Sequence, residues 1–203
     1  MNRAPEEDGR AIASVLEGDY DAFEHLVDKY EGRIFRHLRK MVKDEQLAED
    51  LLQETFLNAY RGLGGFTGAS SFSTWLFRIA TNNALMHLRK NRPDSVEYDD
   101  EIQSAPDAAI TGTDPAFTST PLEVLLSEEG QRKIEEAIEE LPVLYRSTIV
   151  LRDVEGFSLK EVAEILECSV AAVKSRLHRA RNSVRESLSS YYAERKLETP
   201  ATA

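Results

Sequence analysis

The sequence predicts an all-α chain: two small helical domains joined by a flexible acidic linker. Three observations carry that expectation. Apolar residues recur at three- and four-residue spacing through most of the 203 residues, and no segment alternates as a strand does. Charge is unevenly divided: residues 93–130 hold ten acids and no base, whereas residues 1–92 hold 13 bases and 14 acids. The acidic stretch "PDSVEYDDEIQSAPDAAITGTDPAFTSTP" is also rich in Pro, Ser, Thr and Ala and lacks an apolar period, the composition of a tether. The expected boundaries are 1–92, 93–120 for the linker, and 121–203.

Each element has its own local reason. "DYDAFEHLVDKYEGRIFRHLRKMV" sets Phe23, Leu26, Val27, Tyr30, Ile34, Leu38 and Met41 along one helical face. "DEQLAEDLLQETFLNAYRGL" repeats the spacing with Leu47, Leu51, Leu52, Phe56, Ala59 and Leu63. Four glycines within "GLGGFTG" then demand a loop. "SFSTWLFRIATNNALMHLRK" is helical again, with Trp75 and Leu76 assigned to its core side. Beyond the linker, "PLEVLLSEEGQRKIEEAIEELP" and "VLYRSTIVLRDVEG" read as two helices separated at Pro142.

The last region carries the most specific local signal. Ser158 followed by Glu161 forms a capping box that opens a short helix, "SLKEVAEILE". After a break at Glu167–Ser169, Ser169 is placed to cap a second helix. Val170, Val173, Leu177 and Val184 form its inner face, leaving Lys174, Ser175, His178, Arg179 and Arg181 outward beside Arg176. A short helix, a tight turn, small Ala163 at the crossing and a basic second helix describe a helix-turn-helix. The turn lacks the glycine often found there. Arg and Lys reach guanine edges or phosphates, and Ser and His also hydrogen-bond bases. A solvated basic face on the last helix of a bundle is the plainer alternative.

Other function classes are poorly served. The N-terminus lacks the apolar stretch of a secretory signal, and no apolar run is long enough to insert in a membrane. One cysteine, Cys168, excludes an internal disulfide and a cysteine-rich zinc site. These features point to a cytoplasmic protein with no cofactor. His25, His37, His87 and His178 show no catalytic or metal spacing, and no phosphate-binding glycine motif accompanies a strand, so an enzyme is not expected. Mid-helix Asn82 and Asn83 have poor helix propensity and amides able to pair, while Arg78, Arg89, Lys90 and Arg92 are suited to tracking phosphates.

Three stretches in order, "AEDLLQETF", "FSTWLFRIATNNALMHLRK" and "LRDVEGFSLKEVAEILECSVAAVKSRLHRAR", resemble the small extracytoplasmic-function sigma factors of bacterial RNA polymerase. The resemblance covers about residues 10–190. It implies that the first domain is the second sigma domain, which docks on core polymerase and recognises and melts the minus-ten element. The last is the fourth, which uses its helix-turn-helix at the minus-thirty-five element. On the first stretch Asp50, Gln53, Glu54 and Leu57 share one face, an acid- and amide-bearing strip suited to a basic partner helix. By resemblance this strip meets the clamp helices of the largest polymerase subunit, and the fourth domain meets the flap region. The position of Asn82 corresponds to one that holds a base flipped from the minus-ten element, a task an amide suits once the base leaves the stack. Many relatives are held inactive by an anti-sigma protein, so one is expected here.

The net charge of −11 bears on the choice between readings. A protein that binds duplex DNA unaided usually carries a basic surface, because neutralising phosphates supplies most non-specific affinity. Residues 168–203 carry seven bases against three acids, but the rest of the chain should oppose loose binding. A polymerase-bound factor tolerates that. The main alternative is an autonomous helix-turn-helix regulator that binds duplex without polymerase; an adaptor leaves the basic helix and paired asparagines unexplained.

Overall fold

A computed structural model describes residues 4–91 and 128–198. The expected linker and Arg92 lie outside the described residues. Helices α1 (Ala4–Leu16), α2 (Asp21–Val42), α3 (Glu45–Gly62) and α4 (Phe72–Asn91) form the first half. Helices α5 (Glu128–Glu140), α6 (Val143–Ile149), α7 (Leu159–Ile165) and α8 (Val170–Glu198) form the second. No strand occurs among the described residues.

Local chemistry sets the turns of the first half. Lys43 ends α2 in the left-handed region (φ 61°) and donates its N–H to Arg39 O. Asp44 then caps α3, its Oδ1 accepting from Leu47 N at 2.8 Å. This two-residue join brings α2 and α3 side by side. At the far end of α3, a Cβ on Gly62 would stand 3.4 Å from the Trp75 ring, so a glycine there lets the indole lie against the backbone. Trp75 is half-buried against Phe66 and Phe72, whereas Leu76 and Phe77 are fully buried. Ser71 Oγ caps α4 by accepting from Thr74 N at 3.1 Å. Buried Asp8 ties α1 to α2, accepting from Tyr30 O–H at 2.6 Å and Lys29 Nζ at 2.5 Å.

In the second half Pro142 precedes α6, which runs on as a π-helical turn over Val150–Val154. Gly156 (φ 81°) reverses the chain, and Arg152 Nη1 clasps Phe157 O at 2.8 Å. The capping box of α7 is present in both directions. Ser169 Oγ accepts from Ala172 N at 3.1 Å at the start of α8. Glu167, in place of the usual glycine, itself takes the left-handed turn conformation (φ 52°). Cys168 beside it is a half-buried free thiol whose ionisation burial disfavours.

The two halves do not stand apart. Val143, Leu151, Phe157, Val162, Ala163, Ile165 and Val173 belong to the same continuous apolar cluster as Leu26, Ile34, Leu38, Phe72 and Phe77. A smaller cluster of Ile138, Leu141, Ile149, Val150, Leu177 and Ala180 binds α5, α6 and α8 together.

His37 sits at 0% exposure between α2 and α4, with Nε2 2.9 Å from Thr81 Oγ1. Burial lowers its pKa from 6.5 to about 3. Between those values the unfolded chain binds a proton that the folded chain refuses, so acid favours unfolding. His37 should therefore cost up to about 1.4 kcal/mol of stability per pH unit below pH 6.5, and nothing above it. Urea unfolding of wild type and His37→Gln between pH 7 and 5 checks this. The variant should show the shallower dependence, and equal slopes would refute it.

Candidate docking and nucleic-acid interfaces

Three surfaces hold the residues singled out from the sequence. On α3, Asp50, Gln53, Glu54 and Leu57 are all exposed, while Leu51, Thr55, Phe56 and Ala59 are buried behind them. The helical period places them so, because the buried set recurs at three and four residues. No side-chain hydrogen bond or ion pair among the described residues engages Asp50, Gln53 or Glu54. The strip continues into apolar surface that sequence reasoning missed. Leu57 and Tyr60 remain 47% and 37% exposed, and Tyr20 and Leu16 remain 69% and 57% exposed. The Tyr60 ring lies 6.4 Å from that of Tyr20 and 5.1 Å from that of Phe23. A cluster of large apolar groups left open beside acids marks an interaction surface. Its signal in the sequence was two tyrosines 40 residues apart, with nothing local to join them.

On α4 the two asparagines separate. Asn83 Nδ2 donates to Thr55 Oγ1 at 3.3 Å, and its Oδ1 accepts from Asn58 Nδ2 at 3.5 Å. Thr55 Oγ1 in turn donates to Leu51 O at 2.7 Å, so Asn83 is spent in clasping α4 to α3. Asn82, half-buried, has no side-chain hydrogen bond among the described residues. One and two turns to either side lie exposed Arg78, Met86 and Lys90, with exposed Arg89 adjoining. Arg78 is engaged: its Nε and Nη2 meet Glu167 Oε1 at 2.9 and 2.7 Å.

On α8, Val173, Leu177 and Ala180 are buried, and Lys174, His178, Arg179 and Arg181 are exposed. Ser175 and Arg176 are half-buried, and Arg176 Nε has no hydrogen-bond partner among the described residues. Arg181 faces outward as expected but forms a bidentate pair with Asp153, at 3.0 and 2.7 Å. That carboxylate raises the Arg181 pKa against the opposing effect of burial. Arg179 Nη1 donates to Tyr145 O–H oxygen at 3.2 Å, and His178 Nε2 lies 3.1 Å from Asn182 Nδ2. The arrangement is a helix that leaves Lys174, His178 and Arg179 exposed and is braced near its middle against α6 and the π turn. A helix presented in this way by a capped partner helix fits the major groove of duplex DNA.

Residues 26–94 match Sigma-70 region 2, and residues 131–184 match Sigma-70, region 4. Over 194 residues the chain is 37% identical to the RNA polymerase sigma-H factor of Pseudomonas aeruginosa, covering 90% of this chain and 94% of that protein. The chain belongs to the extracytoplasmic-function group of the sigma-70 family. The sigma factor is also 36% identical over 179 residues to the ECF RNA polymerase sigma factor SigW of Bacillus subtilis, covering 88% of this chain and 95% of that one. Two solved structures share its fold. One is CnrH in complex with the cytosolic domain of CnrY: TM-score 0.64, 24% identity, 91% of this chain and 98% of that one. The other is the sigma factor RpoE in complex with the anti-sigma factor NepR from Bartonella quintana: TM-score 0.60, 24% identity, 82% and 96% covered. The region 2 match begins within α2 and takes in α3 and α4, and the region 4 match runs from α5 into α8.

Proposed function

We propose that this sigma factor directs core RNA polymerase to promoters through three separate surfaces. The α3 strip of Asp50, Gln53, Glu54 and Leu57, extended by Tyr60 and Tyr20, docks on the polymerase clamp helices. Asn82 receives the flipped minus-ten base, Asn83 positions α4 behind it, and Arg78, Arg89, Lys90 and Arg92 lie along the strand. Lys174, Ser175, Arg176, His178 and Arg179 read the minus-thirty-five element, with Arg181 bracing α8. The observation that carries this division is the pairing, on a chain of net charge −11, of an α4 amide without a side-chain hydrogen bond among the described residues and a helix that exposes Lys174, His178 and Arg179. Two weak readers on so acidic a chain gain their affinity by being held together at one promoter. The chain acts as a transcription initiation factor in the cytoplasm, not as an enzyme. The anti-sigma factor bound in the Bartonella structure supports an anti-sigma partner here as well.

Run-off transcription with purified core polymerase tests the reading, alongside duplex binding with and without core. Specific promoter binding should require core, and comparable sequence-specific affinity without it would favour the autonomous regulator. Asp50→Lys or Glu54→Lys should weaken core binding by about 1–3 kcal/mol, the range of a charge-assisted contact, with the fold intact. Tyr60→Ala should act in the same direction. Competition against a second sigma factor for core reads all three, and unchanged competition by both charge reversals removes the α3 face.

A further inference from the structure

Most large apolar side chains left exposed among the described residues already have a place. Leu16, Tyr20, Leu57 and Tyr60 form the patch on and beside α3, and Val154 ends the π turn. Met86 on α4 stands apart from them at 66% exposure. A singly exposed apolar side chain is ordinary in itself, and its neighbours decide whether it matters. At about 100° per residue, Arg78, Asn82, Met86, Arg89 and Lys90 share about 120° of the helix circumference. Buried Phe77, Ala80 and Ala84 occupy the opposite side. No Asp or Glu occurs in the 20 residues of α4, although the chain holds 36. A face with cations, an amide without a side-chain hydrogen bond among the described residues, and no acid attracts a polyanion. Met86 is therefore covered when nucleic acid lies along α4.

Covering it has a chemical consequence. The thioether donates nothing and accepts only weakly, so it cannot read the polar edge of a base or hold a phosphate. Burying it against polar edges would strip their water without replacing it. In the major groove the apolar group that base pairs present is the C5 methyl of thymine. An unbranched, polarisable side chain adapts readily to such a contact. Stacking on a base face is the other apolar option, but it needs a gap in the stack. Met86 lies four residues beyond Asn82, about 6 Å along α4, whereas nucleotides are spaced at about 3.4 Å. That places it nearly two steps from the base assigned to Asn82, beyond the gap the flipped base leaves.

We propose that Met86 is a specificity-determining residue that reads a thymine methyl group one or two nucleotides from the base held by Asn82. The inference rests on the assignment of minus-ten recognition to α4 and deepens it. Asn82 reads a polar base edge, and Met86 adds an apolar reader one turn away.

Holoenzyme assembled from core polymerase and the full chain first selects promoters from a library randomised around the minus-ten element. Thymine should be enriched, on either strand, at one position within two steps of the base whose identity depends on Asn82. Replacing that thymine by uracil removes the methyl and leaves base pairing intact. Wild-type holoenzyme should then bind about three- to fivefold more weakly, the value of one buried methyl group. Met86→Ala should bind the thymine promoter more weakly by a similar factor and be indifferent to uracil. Met86→Leu keeps an apolar tip and should retain the thymine preference. Both variants should melt with wild type, because the side chain is exposed. No thymine enrichment, or an equal loss on uracil in wild type and Met86→Ala, overturns the methyl contact. A Met86→Ala loss that is the same whatever base stands nearby also overturns it, in favour of sequence-blind stacking. In each of these cases Asn82→Ala still relaxes preference at its own base, so the minus-ten reading survives. If neither Asn82→Ala nor Met86→Ala changes any base preference, the α4 reading itself fails and this inference falls with it.

Discussion

Asn82→Ala should leave core binding and duplex binding at the minus-thirty-five element nearly unchanged, while open-complex formation falls. Asn82 lies outside the α3 strip and α8, and its amide makes no side-chain hydrogen bond among the described residues. Losing amide hydrogen bonds to an extruded base should cost on the order of 1–3 kcal/mol, about ten- to hundredfold in preference at one promoter position. A pre-melted template should recover part of the rate, because unstacking no longer has to be driven, yet the base preference should stay relaxed. Asn83→Ala provides the internal contrast. Its amide joins α4 to Thr55 and Asn58, so its loss should lower the melting temperature and weaken transcription alike at all four bases. The measurement is a four-base scan of the minus-ten element with wild type and both variants, read beside thermal unfolding. Parallel profiles for wild type and Asn82→Ala would sink the base-holding role.

The largest effect on stability should come from Arg146→Ala. Arg146 is 6% exposed and forks between two helix ends: Nη1 donates to Glu139 O at 2.6 Å and Nη2 to Met41 O at 2.7 Å. Both carbonyls belong to the last turns of helices, α5 and α2, where no intrahelical donor remains. Two hydrogen bonds from a charged donor are lost in the variant, each worth about 1.5–3 kcal/mol, and a cavity is left. Relief of the desolvated guanidinium offsets part of this, an effect visible in the depression of its pKa by burial. A net loss of about 2–4 kcal/mol should result, or roughly 5–15 °C in Tm for a protein of this size. Arg146→Lys should fall between, because one ammonium cannot bridge both carbonyls in the fork geometry of a guanidinium. A Tm for Arg146→Ala within a degree of wild type would contradict the capping role.

Seven of the eight described helices, the caps at Ser158 and Ser169 and the helix-turn-helix were legible in the sequence, whereas α1 (Ala4–Leu16) was not. The capping box at Ser158 and Glu161, the cap at Ser169 and the buried stripe Val173–Leu177–Ala180 all act within one or two turns. Such interactions are legible because their partners are fixed by helical spacing alone. The exposed acid strip of α3 was legible for the same reason. Tertiary structure decided which polar side chains stayed available. A helix face shows the same charges whether it will meet a phosphate or a carboxylate of its own chain. Thus Arg181 reads as a DNA contact until Asp153, 28 residues earlier, is brought beside it. Arg78 does so until Glu167 arrives from 89 residues away, and Asn83 until α3 packs against it. The same holds for the two halves, whose apolar faces looked self-sufficient within each domain. Their joining depends on Phe77, Phe157, Arg33 and Glu155 meeting across more than 70 residues, a complementarity of shape and charge that no local period encodes.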